Sequence, residues 1–210
     1  MTTTLAAVRQ IPIAETKVLG VTHGKFAMWL FLGSDGMSFM GLIATYVAVR
    51  IGNLHNWPRP DEILAIPLTA VNTFVLICSS VTMVQAFAGA QEGNVAKLRN
   101  FLLLTMLFGS IFLGIQVYEY QHLILDEGLT IRALPAEHAA KGESSLFAST
   151  FYACTCFHGC HVFSGVVYLG LILIGVLRGR WTVNRIEIVG LYWHFVDLVW
   201  IIIFTIIYLF

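Results

Sequence analysis

Charged residues are scarce in this sequence. Asp, Glu, Lys and Arg make up 11% of its 210 residues, whereas an average soluble domain carries about 25%. Hydrophobic residues make up 58%, and a water-facing globule of this length has no core large enough to bury so much apolar surface. The composition therefore speaks against an ordinary soluble domain and indicates a protein that lies in a lipid bilayer.

Signals of several other protein classes are also missing. Lys plus Arg and Asp plus Glu each number 12, so the net charge is zero and nucleic acid is not indicated as a partner. Residues 1–25 contain no apolar run of the length of a secretory signal peptide. Neither a Gly-rich phosphate loop nor a nucleophile elbow is present. The cysteines all fall within apolar segments, where thiols usually serve as small packing residues: Cys78, Cys154, Cys156 and Cys160.

Five long apolar segments account for most of the chain. Each reaches the roughly 20 residues that a helix needs to cross about 30 Å of hydrocarbon. The sequence therefore predicts an all-α membrane bundle of five transmembrane helices, forming one domain over residues 26–210 behind a polar N-terminal lead of residues 1–25. The predicted spans are about 26–49, 67–90, 101–124, 146–177 and 188–210.

The distribution of Lys and Arg predicts how the bundle lies in the membrane. Eight of the twelve basic residues fall in the N-terminal lead and in the second and fourth connections. The other four fall in the first and third connections, and they are Arg50, Arg59, Arg132 and Lys141. Because basic residues favour the cytoplasmic side, we expect the N-terminus inside and the C-terminus outside.

Seven ionisable side chains lie within the apolar segments: Asp35, Glu119, His122, His158, His161, His194 and Asp197. Each needs a partner, because an ionisable group at the bilayer centre costs at least about 2.5 kcal/mol. One interpretation is a membrane di-metal enzyme, since Glu119-x-x-His122 and His158-x-x-His161 place two possible ligands on one helix face. The simpler interpretation is that these groups pair between helices or hold lipid headgroups and water.

The depth of these side chains in the membrane and the helix faces on which they lie limit which of them one metal ion could bind. At about 1.5 Å per residue, Asp35, His194 and Asp197 lie about 10–15 Å from the inner surface, whereas Glu119 and His122 lie near the outer one. One metal site cannot collect all of them, although a smaller set stays possible. On the fourth segment, one helix face holds Cys154, His158 and His161. The opposite face holds Cys156 and Cys160. Because these possible ligands point in two directions, the sequence predicts no zinc or haem site there.

Other polar and aromatic residues are typical of packed membrane helices. We expect Asn72, Ser79, Ser80 and Thr82 to let helices approach closely and to form hydrogen bonds between them. We expect Trp193, Trp200 and Tyr208 to serve in part as anchors at the membrane interface.

Five sequence blocks, one in each predicted span, resemble the subunit III family of cytochrome c and quinol oxidases. The resemblance covers residues 26–210, nearly the whole chain. The blocks are Trp29-Leu-Phe31-Leu-Gly-Ser34-Asp35, Asn72-Thr73 with Ser79-Ser80, Gln116-Val-Tyr118-Glu119-Tyr120, Phe157-His158-Gly159-Cys160-His161-Val162, and Tyr192-Trp193-His194-Phe195-Val196-Asp197-Leu198-Val199-Trp200.

The resemblance implies a non-catalytic role in aerobic respiration. Subunit III of this family carries no haem, copper or other metal, packs on subunit I beside subunit II and other oxidase subunits, and holds phospholipid. It is thought to help sustain proton uptake while the complex reduces oxygen and pumps protons, with haem and copper in the partner subunits. The five-helix form, which lacks the first two helices of larger members, implies a multi-pass protein of the bacterial inner membrane.

The resemblance also implies roles for particular positions. Asp35 stands where many members have glutamate. The resemblance implies that Asp35 supports proton uptake, although its side chain is about one methylene shorter than that of glutamate. The family's polar positions at helix interfaces and lipid clefts are matched by Glu119, His122, His158, His161, Trp193, His194 and Asp197.

Three alternatives stay open at the level of sequence. The same family in a quinol oxidase would use a different electron donor. The di-metal enzyme would use Glu119, His122, His158 and His161. A small transporter would place Asp35 or Glu119 in a proton path, but none of the five spans is interrupted in its middle as transporter helices often are.

Overall fold

The computed structural model describes residues 17–18 and 21–210. Most of the predicted polar lead, residues 1–25, therefore lies outside the described residues. Within the described part, a short antiparallel hairpin precedes the first long helix, with β1 at Lys17–Val18 and β2 at Val21–Thr22.

Most of the rest of the described chain is helical, as predicted. Five helices are long and apolar enough to cross a membrane, which confirms the all-α bundle of five spans. In chain order the helices are α1 (His23–Gly52), α2 (Pro60–Ile63), α3 (Ile66–Gln91), α4 (Val95–Leu125), α5 (Ala136–Ala140), α6 (Leu146–Leu177) and α7 (Val183–Phe204). A 3-10 turn at Leu54–Asn56 follows α1, and a π-helical turn at Thr205–Leu209 extends α7.

Three of the long helices begin before their apolar segments. Thr22, Asn94 and Thr182 each precede a helix, and the side-chain oxygen of each accepts a hydrogen bond from the backbone N–H three residues later. These caps satisfy donors that the first turn of a helix leaves unpaired. The helices therefore start at residues 23, 95 and 183 rather than at 26, 101 and 188.

Helix α7 occupies the centre of the bundle. It packs against α1, α3 and α6, while α4 lies between α3 and α6. One side of α7 stays uncovered between α1 and α3. We call this side the α7 stripe; it consists of Leu191, His194, Leu198 and Ile201, of which Leu198 is 57% and Ile201 41% exposed.

The two ends of the bundle differ in their connections. The hairpin end holds β1, β2 and the two short turns before α4 and α7, and there Lys25 Nζ binds Glu187 Oε1 at 2.6 Å. The α2–α5 end holds α2, α5 and residue 210. Its loops are tied down by hydrogen bonds such as that from Ser144 N to Asn56 O, at 2.7 Å.

Two glycines allow a tryptophan into the middle of the bundle. A Cβ atom on Gly109 of α4 would lie 2.5 Å from the indole of Trp193, and one on Gly165 of α6 would lie 2.9 Å from it. Larger residues therefore do not fit at either position without displacing the indole. Small residues of this kind are how membrane helices achieve close packing.

The closing aromatics are not the interface anchors that the sequence predicts. Trp193 and Trp200 are each 1% exposed and Tyr208 is 2% exposed, and all three are hydrogen-bonded inside the bundle. The prediction was wrong because α7 is covered by three other helices, which bury these side chains inside the bundle.

Candidate functional sites within the bundle

Asp35 of α1 and His161 of α6 meet between their helices. His161 Nε2 lies 3.1 Å from Asp35 Oδ1, with 15% and 9% of the two side chains exposed. His161 Nδ1 lies 2.7 Å from the carbonyl oxygen of Phe157, which can only accept, so Nδ1 carries a hydrogen. The contact with Asp35 therefore holds one shared proton, either on the carboxyl or on Nε2. The pair therefore links α1 to α6 through two ionisable side chains.

Helix α7 supports this pair through Tyr192. The Tyr192 hydroxyl donates to the carbonyl oxygen of His161 at 3.1 Å and lies 2.6 Å from Ser164 Oγ. The ring of Phe39, one turn beyond Asp35 on α1, lies 5.0 Å from the His161 ring. Three helices thus hold the pair in place.

A second polar cluster joins α3 to α7 beside the α7 stripe. Ser80 Oγ donates to Asp197 Oδ2 at 2.6 Å, and His194 Nδ1 lies 3.2 Å from the same Ser80 Oγ. Because the serine proton points at Asp197, His194 Nδ1 must be the donor in the second contact. Asp197 Oδ1 has no hydrogen-bond partner among the residues that the structure describes.

Glu119 lies in a third location, near the α2–α5 end. It is 3% exposed, and its Oε1 accepts from Thr69 Oγ1 at 2.9 Å and from the Tyr208 hydroxyl at 3.4 Å. His122, one turn later, has 47% of its side chain exposed and lies 3.8 Å from Asp126. The two residues of the Glu-x-x-His spacing therefore contact different groups.

His158 is separated from His161 although three residues apart on α6. It is fully buried, and neither ring nitrogen has a hydrogen-bond partner within the described ranges. Its ring stacks on Trp200 with 4.7 Å between centroids, and Phe112 meets it edge-on at 5.8 Å. The described contacts of His158 are thus aromatic, whereas His161 combines polar contacts with aromatic ones.

The geometry does not support a metal site at these residues. Across residues 17–18 and 21–210, no group of three or more His, Cys, Asp or Glu side chains could hold a metal ion. The cysteines divide as the helical spacing predicts, since Cys154 is buried on the side of His158 while Cys156 and Cys160 are exposed. All four thiols in the chain are free.

Several partners in these clusters were not predicted as site residues. Thr69, Tyr192 and Tyr208 bind groups on other helices, but nothing near them in sequence reveals those partners. Helical Ser and Thr hydroxyls commonly bond to their own backbone, and Thr69 Oγ1 does so as well, to Ala65 O at 3.2 Å. Only the packing of helices shows which hydroxyls also reach a neighbour.

Comparison with known proteins places the chain among respiratory membrane proteins. The family model described as cytochrome c oxidase subunit III matches residues 8–210. Cytochrome c oxidase subunit 3 of Bacillus subtilis (strain 168) is 34% identical over 202 residues, which cover 94% of this chain and 92% of that protein. A probable cytochrome c oxidase subunit 3 of Nocardia farcinica is 38% identical, over 85% of this chain and 84% of its own length.

Proposed function

Because the chain belongs to the cytochrome c oxidase subunit III family, we propose that it packs on subunit I of a proton-pumping oxidase, binds phospholipid and sustains proton uptake. A subunit III is an accessory, non-catalytic part of its complex. We assign the haem and copper of the complex to partner subunits, including subunits I and II. The Asp35–His161 pair carries the proton part of this proposal.

The proposed role in proton uptake follows from the chemistry of that pair. A carboxyl and an imidazole that share one proton at 3.1 Å form a site that can be loaded and emptied. Asp35 Oδ2 is buried and has no hydrogen-bond partner in the described part of the chain, so the bond to His161 is the one that the carboxyl group makes there. The pair would buffer protons near the entrance that subunit I uses.

The α7 stripe supports the proposed packing on subunit I. It is exposed and mainly apolar, yet it runs past the Ser80–His194–Asp197 cluster. Polar groups that face hydrocarbon are unfavourable, so we expect a helix of another subunit to cover them. A cysteine introduced at Leu198 should form cross-links to subunit I, whereas one at Leu171, which is 64% exposed on α6, should form none.

The proposed lipid contacts involve only the accessible members of the predicted set. His122 is exposed near the α2–α5 end, where headgroups would lie if that end meets the membrane surface. His158 and Trp193, at 0% and 1% exposure, are too deeply buried to touch lipid. We therefore assign lipid binding to His122 and interhelical contacts to the buried positions.

The proposed location is the bacterial inner membrane, with the α2–α5 end outside. Five helices of spanning length support a multi-pass protein, and the uneven distribution of Lys and Arg supports the orientation. Labelling with a membrane-impermeant maleimide tests it. A cysteine at Arg132 should react from outside intact cells, and a cysteine at Arg99 should not.

We propose cytochrome c as the electron donor of the complex. The relatives compared above are named as subunits of cytochrome c oxidases. The test is purification through a tag on this chain, followed by oxygen-uptake measurements. Reduced cytochrome c should drive oxygen uptake by the complex; uptake driven only by a quinol would establish the quinol oxidase alternative.

A further inference from the structure

A cavity of about 330 Å³ opens at the α2–α5 end, between α2 and the last turns of α4. Three glutamates line it, namely Glu62 on α2, Glu119 on α4 and Glu127 just after α4. No lysine or arginine is among the described residues that line it. Ionised glutamates make such a cavity electrostatically negative, so its lining favours a positively charged ligand.

Glu119 is the buried member of the three, with 3% exposure. The hydrogen bonds that it accepts from Thr69 Oγ1 and from the Tyr208 hydroxyl both end on Oε1. Among the described residues, none donates a hydrogen bond to Oε2. Buried polar atoms are normally paired, and a buried carboxylate is costly without an opposite charge. A ligand that donates hydrogen bonds and carries a positive charge satisfies both requirements at Glu119.

Two basic side chains near the cavity already have partners in this chain. Lys141 of α5 is close enough to Glu62 for an electrostatic interaction, but its ammonium group binds Glu137 at 3.1 Å. His122 lines the cavity, and its ring lies 3.8 Å from Asp126, which is not part of the lining. The cation that the lining favours is therefore expected from outside this chain.

Carbon-rich side chains form the rest of the wall: Ile63, Leu64, Ala65, Leu68 and Leu123. The aromatic ring of Tyr118, a residue that is 60% exposed, also belongs to the lining, and the face of such a ring attracts cations. A metal ion makes no use of apolar walls, and the described residues contain no group that could hold one. An ammonium group on an alkyl chain uses both the carboxylates and the apolar wall, as lysine side chains do at protein surfaces.

A neighbouring cavity of about 510 Å³ at the same end has the opposite character. Arg50 and Arg59 line it, and Asp61 is its single acidic lining residue. Like charges repel, so a cation is disfavoured beside the two arginines and favoured beside the three glutamates. The charge of the lining thus selects one of the two cavities for a cation.

We propose that the cavity lined by Glu62, Glu119 and Glu127 binds a primary ammonium group carried on an alkyl chain. The ammonium group donates hydrogen bonds to Glu119 Oε2 and to one of the two exposed glutamates. The methylene groups lie against Leu64 and Leu123. A free aliphatic polyamine and a lysine side chain of another oxidase subunit are the two sources of such a group. This site does not depend on the roles proposed above for proton uptake and lipid.

The experiment is isothermal titration calorimetry of the intact oxidase complex with putrescine, a four-carbon diamine. We expect Glu127→Gln to weaken a putrescine site about tenfold, because a hydrogen bond between charged groups is lost. Glu137→Gln removes the same charge from the exposed pair on α5, outside the cavity lining. This matched control should bind putrescine as the wild type does. The uncharged analogue 1,4-butanediol should not compete with putrescine.

A water-soluble carbodiimide distinguishes the two sources, because it joins a carboxylate directly to an amine in contact with it. A link from Glu62 or Glu127 to a lysine of another subunit would assign the ammonium group to that subunit. Putrescine binding without such a link would assign the site to a free amine. With no link, putrescine affinity that is absent or unchanged in Glu127→Gln would overturn the proposal. Effective competition by 1,4-butanediol would also overturn it, since the charge would then contribute nothing.

Discussion

The tryptophan part of the α3–α7 seam, away from the Ser80–His194–Asp197 cluster, and the α1–α6 seam both carry polar side chains, but their chemistry differs. In the α3–α7 seam, Trp193 Nε1 donates to Ser79 Oγ and Trp200 Nε1 donates to Thr73 Oγ1, each at 2.9 Å. Both indoles are 1% exposed. In the α1–α6 seam, Asp35 and His161 share a proton and remain partly accessible.

This difference separates hydrogen bonds that keep their protons from a contact between two ionisable side chains. An indole N–H is a donor at every physiological pH, and the hydroxyls that accept from it do not titrate there. Asp35 and His161 are both ionisable side chains. The Trp–hydroxyl bonds therefore serve to fix the helices, whereas for the Asp35–His161 pair we propose a role in proton uptake.

Helix α6 contributes one histidine to each environment. His158 stacks on Trp200 and belongs to the tryptophan side, while His161 meets Asp35. The His-x-x-His spacing suggested two ligands acting together. The packing divides them, because α7 and α1 meet the same broad face of α6 side by side, and His158 contacts α7 while His161 contacts α1.

The largest loss of stability is expected where α4 packs against the Trp193 indole without spare volume. In Gly109→Ala, the new methyl group would lie 2.5 Å from the Trp193 indole, and we expect a loss of about 3 kcal/mol or more of stability. Chemical unfolding of the detergent-solubilised chain measures this loss. Gly33→Ala is the matched control, because its methyl group meets nothing within 4 Å; equal stability of the two variants would refute the tight packing.

A smaller effect is expected from the tryptophan hydrogen bonds. A double-mutant cycle with Trp200→Phe and Thr73→Val should give a coupling energy of up to about 1.7 kcal/mol, the largest value found for hydrogen bonds between membrane helices, whose average is about 0.6 kcal/mol. Unfolding of the two single variants and the double variant supplies the values. Strictly additive losses would mean that the 2.9 Å contact contributes nothing to the seam.

The polar cluster beside the α7 stripe should contribute less to stability than the tryptophan hydrogen bonds. We expect Asp197→Leu to loosen α7 against α3 by about 1 kcal/mol or less, because the bond from Ser80 is lost. The haem spectrum of the assembled complex should stay unchanged. Difference spectra of purified complexes provide the check, and a lost haem signal in a fully assembled complex would contradict a purely structural role.

The proton-sharing seam should affect activity over time rather than stability. In Asp35→Ala we expect normal initial turnover of the complex and a faster decline over repeated cycles. We expect the same behaviour from His161→Gln, because either substitution removes the proton that the two side chains share. Oxygen uptake followed over many turnovers tests both variants; unchanged long-term activity would exclude Asp35 from proton uptake.

The smallest effect is expected outside the membrane, on α5. Glu137 and Lys141 lie 3.1 Å apart and are exposed, and their hydrogen bond lowers the pKa of Glu137 and raises that of Lys141. The pair therefore stabilises the loop above the ordinary pKa of Glu and below that of Lys. Its contribution falls in acid as Glu137 is protonated and in strong alkali as Lys141 loses its proton.

Glu137→Gln should leave the melting temperature at neutral pH nearly unchanged, and a clear drop would show a role for the pair that its exposure does not suggest.

The spans were predictable because hydrocarbon imposes one strong constraint on sequence. An uninterrupted apolar segment must be helical to satisfy its backbone, and all five segments are. The helix starts were less predictable, because Asn94 and Thr182 begin helices among charged residues that an apolar window excludes.

The contacts between spans were not predictable in the same way. Nothing in the sequence near Asp35 shows that His161, 126 positions later, is its partner. The burial of Trp200 and Tyr208 depends on α7 being central, which is a property of the whole bundle. Polar positions could therefore be found from sequence, whereas their partners required the packing of the helices.

Removal of this chain from the purified complex is the most direct test of its accessory role. Metal content and oxygen uptake would be measured before and after removal, and on the isolated chain. The account predicts that haem, copper and initial turnover stay with the remaining subunits, which then lose activity faster until the wild-type chain is restored. Iron, copper or zinc bound to the isolated chain near one per molecule would contradict it.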